Sequence, residues 1–453
     1  MLAIKLIQIA FFLGCYTNVT AQNSDSYKIR LLDSLFNGLY TSKKSMGGIC
    51  IYKNGKEFYS KNYGIVNTSG KKATPETKYR IASISKIFTA YLIMQMVKEN
   101  KISLDDKLSK YFVQIKNSDS VTIYNMLSHT SILPVYTKSG DLEKLRKAKT
   151  IDELINIINQ QEFILENVKY KYNNLNYILL GLIIEKIGNK PYNYILNESV
   201  KGLSNENAIY GLNKQIDADN NEAKSFYFEN DVWKEEEEIT PTPISDGSGF
   251  LVCTAKFLTN FMNKLFDGYL LDTNMLVKML PGSDKKGLGF MKTDFGTHIG
   301  YGHSGRIENF TCATTIFPQD KISISFLQNA TVYPLNDILL LIGDILFNDT
   351  VEIPNFKEIM ITSDDKNKIT GEYINEEEGY KIFVDIKKNE IRLRVKNTKS
   401  PFKMILPVVA LTSSRLFFLK QGVFFDFSGL AEGKYSKCTM KVNGAKLLLT
   451  RTK

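Results

Sequence analysis

The sequence predicts an α+β domain followed by a small all-β barrel at the C-terminal end. Gly47–Tyr52 and Lys56–Tyr63 are strand-like runs joined through an Asn-Gly pair, which is a strong β-hairpin signal. Ile84–Val97 and Leu175–Ile187 are almost uninterrupted apolar runs, as is typical of helices buried on all sides. From Ile369 onward, short strand-like runs alternate with Asn/Gly turns, a pattern that indicates a barrel.

Residues 1–21 are predicted to be a signal peptide rather than part of the fold. Lys5 precedes the apolar stretch Leu6–Leu13, and a small-residue cleavage pattern, Val-Thr-Ala, closes the segment. A second interpretation makes Cys15 the lipid-bearing first residue of a lipoprotein. Phe12 fits that pattern poorly, so we favour simple secretion and expect an exported protein, periplasmic or extracellular.

Length, charge and cysteine content narrow the classes of protein to which the chain can belong. With 453 residues it is long enough for two or more domains with ample cores. Its formal net charge of +10 is spread along the sequence, which speaks against dedicated nucleic-acid binding. The five cysteines have no metal-like spacing, so we expect buried thiols and neither a metal nor another cofactor. No segment after the leader is long and apolar enough to predict a transmembrane span.

Ser83 and Lys86 stand at the start of the first apolar helix and form a Ser-x-x-Lys pair. Residues three apart on a helix share a face, so the two side chains are within reach of each other. Because burial favours a neutral amine, Lys86 could accept the hydroxyl proton of Ser83. The alternative is a serine that caps the helix and a lysine that extends to solvent. The pair alone does not decide between them.

Tyr172 and Asn174 stand at the start of the second apolar helix. A tyrosine near a cationic lysine ionises more readily, which would let Tyr172 share proton transfer with Lys86. Asn174 offers both a donor and an acceptor to a substrate amide. Packing for Tyr172 and helix capping for Asn174 stay open as alternatives. His129, which follows the run Val121–Leu127, is interpreted as structural rather than catalytic.

His303, Ser304, Gly305 and Arg306 precede two strand-like runs, Phe310–Phe317 and Ile322–Leu327. A polar tripeptide that ends in glycine lets the backbone lie close to a ligand. The main-chain N–H groups of Arg306 and of the serine could then form an oxyanion hole. The histidine would bring a hydrogen-bond donor beside the nucleophile. The same tripeptide also suits a simple turn.

The three motifs, Ser-x-x-Lys, Tyr-x-Asn and His-x-Gly, occur in an order and at separations that resemble the serine β-lactamase and penicillin-binding-protein superfamily. Within it the chain looks like the class C-related branch, which includes D-alanyl-D-alanine carboxypeptidases, D-amino acid peptidases and esterases. The resemblance covers roughly Ser26–Asn348 and includes the hairpin before the first motif.

The resemblance implies a role for each motif residue. Ser83 is the acylated nucleophile, Lys86 and Tyr172 are the proton-transfer pair, and Asn174 orients the substrate. Which of the proton-transfer groups is the base stays open in such enzymes.

The third motif lies on a strand that lines the cleft in this branch, which assigns His303, Ser304 and Gly305 to that strand. The sequence departs from the branch at two positions. Class C β-lactamases have lysine where this chain has His303, so a fixed cation for a substrate carboxylate is missing and neutral substrates are favoured. Ile132 also replaces the usual glycine after Ser131.

The resemblance further implies the arrangement of the fold. An antiparallel sheet flanked by helices is expected beside a helical lobe from about 101 to 230, with the nucleophile between them. We expect a hydrolase domain over 26–348 and a β-barrel domain over 355–453, with the polar stretch Thr362–Lys368 near the boundary. The barrel is similar to the lipocalin-like barrels appended to some members. Its predicted strands are Gly371–Tyr373, Tyr380–Ile386, Glu390–Lys396, Arg415–Lys420, Val423–Phe427, Lys437–Val442 and Lys446–Arg451.

These inferences predict a secreted serine hydrolase that acts through an acyl-enzyme. Its substrates would be cell-wall-type peptides ending in D-amino acids, or small amides and esters, with slow β-lactam hydrolysis as a side activity. The partners are therefore small-molecule or peptide substrates, including peptidoglycan fragments, and not nucleic acid. The alternative is a non-catalytic protein that binds wall peptides or a partner protein in the same cleft. The oligomeric state stays open.

Overall fold

The computed structural model describes most of the chain, with gaps. The described residues are 25–136, 147–164, 169–203, 209–211, 221–237, 240, 244–282, 287–348, 351, 353–354, 356, 361–387, 390–399, 403–418, 423–442 and 445–452. The predicted leader, with Cys15, lies outside them. Within these ranges no helix combines the length and the apolar character that a membrane crossing needs.

Packing divides the chain into two compact units. One is formed by Met46–Thr331, and the other by the residues up to Ser45 together with Val332–Lys453. The domain boundaries inferred from the sequence stay a prediction.

The unit Met46–Thr331 is built on a six-stranded sheet whose first strand begins at Ser45. The order across the sheet is Lys56–Tyr63, Ser45–Lys53, Ile322–Thr331, Phe310–Phe317, Tyr301–Ile307 and Met291–Lys292. The predicted hairpin is confirmed, because Ser45–Lys53 and Lys56–Tyr63 pair in antiparallel fashion. Asn54 and Gly55 at its turn have φ of +54° and +73°, as a tight hairpin turn requires.

Helices make up most of the rest of this unit. They are Ser85–Lys98, Ile123–Leu127, Ile151–Asn159, Asn174–Gly188, Tyr192–Ser199, Ala255–Phe266 and Thr273–Met279, with short 3₁₀ turns at Ala82–Ile84, Leu108–Lys110, Ser118–Ser120 and Asp246–Ser248. Two smaller sheets comprise Tyr79–Arg80, Leu251–Cys253 and Ile209–Gly211, and the hairpin Phe226–Glu229 with Val232–Glu235.

The helix Ser85–Lys98, called here the central helix, is buried on every side, as the sequence predicts. All ten residues from Ser85 to Met94 are buried, including the two polar residues at its start. Phe88 stacks on Phe261 of the helix Ala255–Phe266 with ring centroids 4.1 Å apart. Because this ten-residue stretch has no face in water, every polar side chain in it must find its partners inside the protein.

In the residues that the structure describes, the second unit contains a nine-stranded sheet and three helices, 25–41, Leu335–Phe347 and Ser363–Ile369. Its neighbouring strands pair in antiparallel fashion, and the sheet curls round a core that includes Leu393, Leu416 and Phe425. The strand order is Lys403–Pro407, Glu390–Asn397, Tyr380–Lys387, Gly371–Asn375, Ala445–Arg451, Lys434–Val442, Val423–Ala431, Arg415–Phe418 and Val409–Thr412. The all-β character predicted for this part of the chain is confirmed.

Three elements of this unit differ from the sequence prediction. The strands Lys403–Pro407 and Val409–Thr412 are absent from the sequence prediction, and the first of them ends at a proline, a residue that lowers strand propensity. Both are edge strands, where a proline leaves no ladder hydrogen bond unmade. The stretch Thr362–Lys368, predicted to lie near the domain boundary, contains most of the helix Ser363–Ile369, which Thr362 caps by accepting a hydrogen bond from Asp365 N–H at 3.1 Å.

Candidate active site

Ser83 lies on a 3₁₀ turn, Ala82–Ile84, between the strand Tyr79–Arg80 and the central helix. Ala82 has a φ of +47°, a left-handed conformation that costs a non-glycine residue roughly 1–2 kcal/mol. Ser85 holds the turn in place, since its Oγ donates to Ala82 O at 2.7 Å and accepts from Leu251 N–H at 3.2 Å. The serine is thus presented, partly exposed, on a backbone that the surrounding structure fixes.

Lys86 is fully buried, and its Nζ contacts three acceptors. They are Ser83 Oγ at 3.2 Å, Asn174 Oδ1 at 2.8 Å and the main-chain carbonyl of Ser248 at short distance. An ammonium can donate to all three. A neutral amine can donate to the two carbonyl-type oxygens and keep its lone pair for the hydroxyl of Ser83. The site therefore accommodates either protonation state, as a group that takes up and returns a proton requires.

The alternative in which Ser83 caps the helix and Lys86 reaches solvent is wrong. Ile84 occupies the N-cap position and makes no side-chain capping bond. Likewise the residue that caps the helix Asn174–Gly188 is Asn173, whose Oδ1 accepts from Leu175 N–H at 3.0 Å.

Tyr172 donates a hydrogen bond from its hydroxyl to Ser83 Oγ at 2.7 Å. From the sequence alone, the nearby lysine is expected to ease ionisation of this phenol. Burial instead raises the pKa of Tyr172, and the hydrogen bond with Ser83 offsets this only in part. The expectation is wrong in that respect, because the phenol is held in its neutral, proton-donating form.

His129 supports the phenol and not the nucleophile. Its ring stacks on the ring of Tyr172 with centroids 4.5 Å apart, and its Nδ1 accepts a hydrogen bond from Asn173 N–H at 3.0 Å. The histidine is 5% exposed and has a φ of +56°. These contacts agree with the structural interpretation of His129 and make it a positioning residue for Tyr172.

The strand Tyr301–Ile307, called here the cleft strand, packs its main chain against the Ser83 turn. A Cβ built on Gly305 would lie 2.9 Å from Ser83 N and 2.5 Å from Ile81 O, so only glycine fits without a shift. On the same face, His303 lies beside Tyr172 with ring centroids 6.3 Å apart. The glycine predicted from the His-x-Gly motif thus brings the strand into contact with the serine.

His303 is neutral in this environment. Its Nδ1 lies 2.5 Å from its neighbour's carbonyl, Ser304 O, which only accepts, so Nδ1 carries the proton and Nε2 has a lone pair. Burial and the charge of Lys86 lower the pKa of His303 to about 4. The hydrogen-bond donor that the sequence predicts beside the nucleophile is already used within the strand, because the N–H of His303 bonds to Ser304 O. His303 therefore provides neither a fixed cation nor a spare donor.

Ser304 and Arg306 alternate with the buried residues of the cleft strand, so their side chains lie on its exposed face. The neighbouring short strand, Met291–Lys292, pairs only with Tyr301 and Gly302. Among the strands that the structure describes, no other pairs with this edge beyond Gly302. The edge can therefore offer its main-chain groups to a bound substrate.

Sequence reasoning missed two positioning groups, the carbonyl of Ser248 and the side chain of Ser85. Ser248 ends the 3₁₀ turn Asp246–Ser248, and a main-chain carbonyl has no sequence signature. Ser85 lies between the two motif residues and could have been suspected, since serine near a helix start often bonds backbone groups.

Comparison with known proteins identifies the family to which the chain belongs. Residues 32–340 match the Beta-lactamase family. The chain belongs to the Beta-lactamase family. A teichoic acid D-alanine hydrolase of Staphylococcus aureus is 33% identical over 179 residues, which are 38% of this chain and 41% of the relative. The chain covers between 32% and 41% of the length of such curated relatives.

Two solved structures share the fold. A penicillin-binding protein homologue from Pyrococcus abyssi superposes with a TM-score of 0.64 at 22% identity, over 93% of this chain and 99% of that one. A D-amino acid amidase from Ochrobactrum anthropi SV3 gives a TM-score of 0.61 at 20% identity, over 71% of this chain and all of the amidase. The predicted resemblance to the β-lactamase and penicillin-binding-protein superfamily is confirmed.

The contact between Gly305 and the Ser83 turn predicts an effect of a single methyl group. Gly305→Ala should lower kcat by about 100-fold, because the added Cβ displaces the turn and small misplacements of reacting groups have effects of that size. Hydrolysis of a p-nitrophenyl ester measures it. Gly249→Ala is the matched control, since its Cβ would lie an ordinary 3.5 Å from Ala82 C. Equal losses in both variants would contradict the assignment.

Proposed function

We propose that this member of the Beta-lactamase family is a secreted serine hydrolase that acts through an acyl-enzyme on Ser83. One observation carries the proposal. A partly exposed hydroxyl receives hydrogen bonds from a fully buried lysine at 3.2 Å and a tyrosine at 2.7 Å. A serine needs an adjacent proton acceptor to become a nucleophile, and Lys86 is within reach of that role.

In the proposed mechanism, a proton passes from Ser83 to Lys86, and Tyr172 protonates the leaving group. Neutral Lys86 takes the hydroxyl proton of Ser83 while Oγ attacks the substrate carbonyl, and the oxyanion faces main-chain N–H groups of Ser83 and the cleft strand. Collapse of the tetrahedral intermediate breaks the bond to the leaving group, which takes a proton from Tyr172. The ammonium of Lys86 restores the tyrosine proton, and water then hydrolyses the acyl-enzyme. The raised pKa of Tyr172 supports its role as a donor of protons rather than a standing base.

The substrates proposed are small amides, esters and peptides that present a D-amino acid. Two comparisons support this class, since one relative is a teichoic acid D-alanine hydrolase and one structure with this fold is a D-amino acid amidase. The neutral His303 supports it as well. Because His303 is neutral, it offers no attractive charge to the carboxylate of an anionic substrate. A D-alanyl ester or amide has no such carboxylate, so a neutral residue at this position does not weaken its binding.

We propose that the protein is exported, on the basis of the proposed substrates and the predicted signal peptide over residues 1–21. One relative is named a teichoic acid D-alanine hydrolase, and a substrate of that class supports a place outside the cytoplasm. Mass spectrometry of the mature N-terminus distinguishes cleavage after Ala21 from a lipidated Cys15.

Covalent labelling tests the acyl-enzyme. A fluorophosphonate probe should label the wild type and not Ser83→Ala, while Lys86→Ala should slow labelling about 10²- to 10⁴-fold, the range that a general base contributes. Lys98→Ala is the matched control, because Lys98 lies on the same helix with its side chain 54% exposed. If Ser83→Ala labels as fast as the wild type, the acyl-enzyme proposal fails, and binding of wall peptides without turnover would then favour the non-catalytic alternative.

Substitution of His303 tests the origin of the substrate preference. His303→Lys should lower KM for a carboxylate-bearing substrate such as nitrocefin by about tenfold or more, since a charge-assisted hydrogen bond adds roughly 1.5–3 kcal/mol. KM for an uncharged ester should stay within about twofold. His303→Gln, which keeps the position neutral, should change neither. Parallel changes in KM for both substrates would show that charge at this position does not select between them.

A further inference from the structure

A carboxylate without a partner lies far along the chain from the Ser83 site. Asp337 lies in the first turn of the helix Leu335–Phe347, is 7% exposed, and its Oδ2 is buried without a hydrogen-bond partner among the described residues. A carboxylate in the first turn of a helix is ordinarily stabilised by the helix dipole. Here burial outweighs that effect and raises the pKa of Asp337 to about 7. Such a group lowers the stability of the fold unless a ligand satisfies it.

Asp337 lines a cavity of about 230 Å³ within the second unit. One wall is a single face of the helix, formed by Asp337, Leu340, Leu341 and Asp344. These positions follow the spacing i, i+3, i+4, i+7, so the acidic and apolar side chains share one stripe. The helix wall is therefore acidic at both ends and apolar between them.

The opposite wall comes from the β-sheet and is basic. Arg415, Lys441 and Lys446 line it together with the ring of Phe424. Asp426 is the ion-pair partner of both Arg415 and Lys441, with Lys441 Nζ 2.6 Å from Asp426 Oδ2. Asp426 thus pairs with two of the three cations, while the charge of the third, Lys446, acts on Asp344 of the helix wall. The sheet wall keeps a net positive charge that faces the acidic helix wall across the cavity.

Size and charge together define the ligand. A cavity of about 150 Å³ holds a benzene-sized molecule, so this one admits a molecule only a little larger. Opposite charges on facing walls suit a molecule that carries both an ammonium and a carboxylate. We propose that the cavity binds a small zwitterion of the α-amino-acid class, with its ammonium on Asp337 and its carboxylate toward Lys441 and Lys446. This site is separate from Ser83, and the proposal does not depend on the proposed hydrolysis.

If Asp337 serves ligand binding, its ionised side chain should lower the thermal stability of the protein when no ligand is bound. Asp337→Asn removes a buried, unpartnered charge, so we expect this variant to unfold at a higher temperature than the wild type at alkaline pH. The gain should vanish at acidic pH. A folded-state pKa above the unfolded value means that the ionised carboxylate is disfavoured only in the folded protein, so the penalty grows as pH rises. Loss of ligand binding together with a gain in stability is the signature of a functional group.

Calorimetric titration of the full-length mature protein tests the proposal. The probes are D-alanine, L-alanine, propionate and ethylamine, and we expect at least one alanine enantiomer to bind about tenfold or more tightly than either single-charge analogue. Asp337→Asn should weaken alanine binding about tenfold or more, and Leu340→Trp should abolish it by filling the cavity. Asp385→Asn is the control, because Asp385 lies on the same sheet in an exposed ion pair with Arg394.

Three results would overturn the proposal. They are no alanine binding up to about 10 mM, equal binding to wild type and Asp337→Asn, or propionate or ethylamine binding as tightly as alanine. Ser83→Ala separates this site from the active site, since it should bind alanine as the wild type does. Loss of binding in that variant would assign the ligand to the Ser83 site and contradict the proposal. Ester hydrolysis by Asp337→Asn should match that of the wild type.

Discussion

The contact between Lys86 Nζ and Ser83 Oγ exists because the central helix has no face in water. A lysine in an ordinary amphipathic helix would extend its ammonium to solvent. Here every path is closed by apolar packing, so the amine must take its partners from the interior, and the serine hydroxyl is one of them. Burial of the helix therefore places the amine of Lys86 against the hydroxyl of Ser83 at its first turn.

The other groups of the site are arranged round that contact. Asn174 and the Ser248 carbonyl hold the amine, while a left-handed Ala82 and a cleft strand without a side chain at Gly305 fix the serine. These contacts have the same effect, because each restricts a motion that would lengthen the distance between Lys86 Nζ and Ser83 Oγ. Rigid support of this kind is what a preorganised catalytic site needs.

The sequence predicts the strongly patterned parts of the molecule and not those that long-range packing decides. The Asn-Gly hairpin and the two apolar helices follow from local pattern alone. The proton-donating state of Tyr172 does not, because it depends on burial beneath His129, more than forty residues earlier in the chain. Asp337 is likewise one of two acidic residues in a largely apolar helix, and nothing local distinguishes it from Asp344. Its burial becomes evident only when strands that carry Arg415 and Lys441 face it.

The most direct test of the account is the titration of Lys86 itself. Lysine labelled with ¹³C at Cε reports the ionisation of each side chain by NMR, and Lys86→Gln identifies the resonance. We expect the titration midpoint of Lys86 to lie well below the ordinary lysine value of about 10.4, so that a neutral amine is available near neutral pH. A midpoint at or above that value would mean a permanent ammonium. Lys86 could not then accept the proton of Ser83.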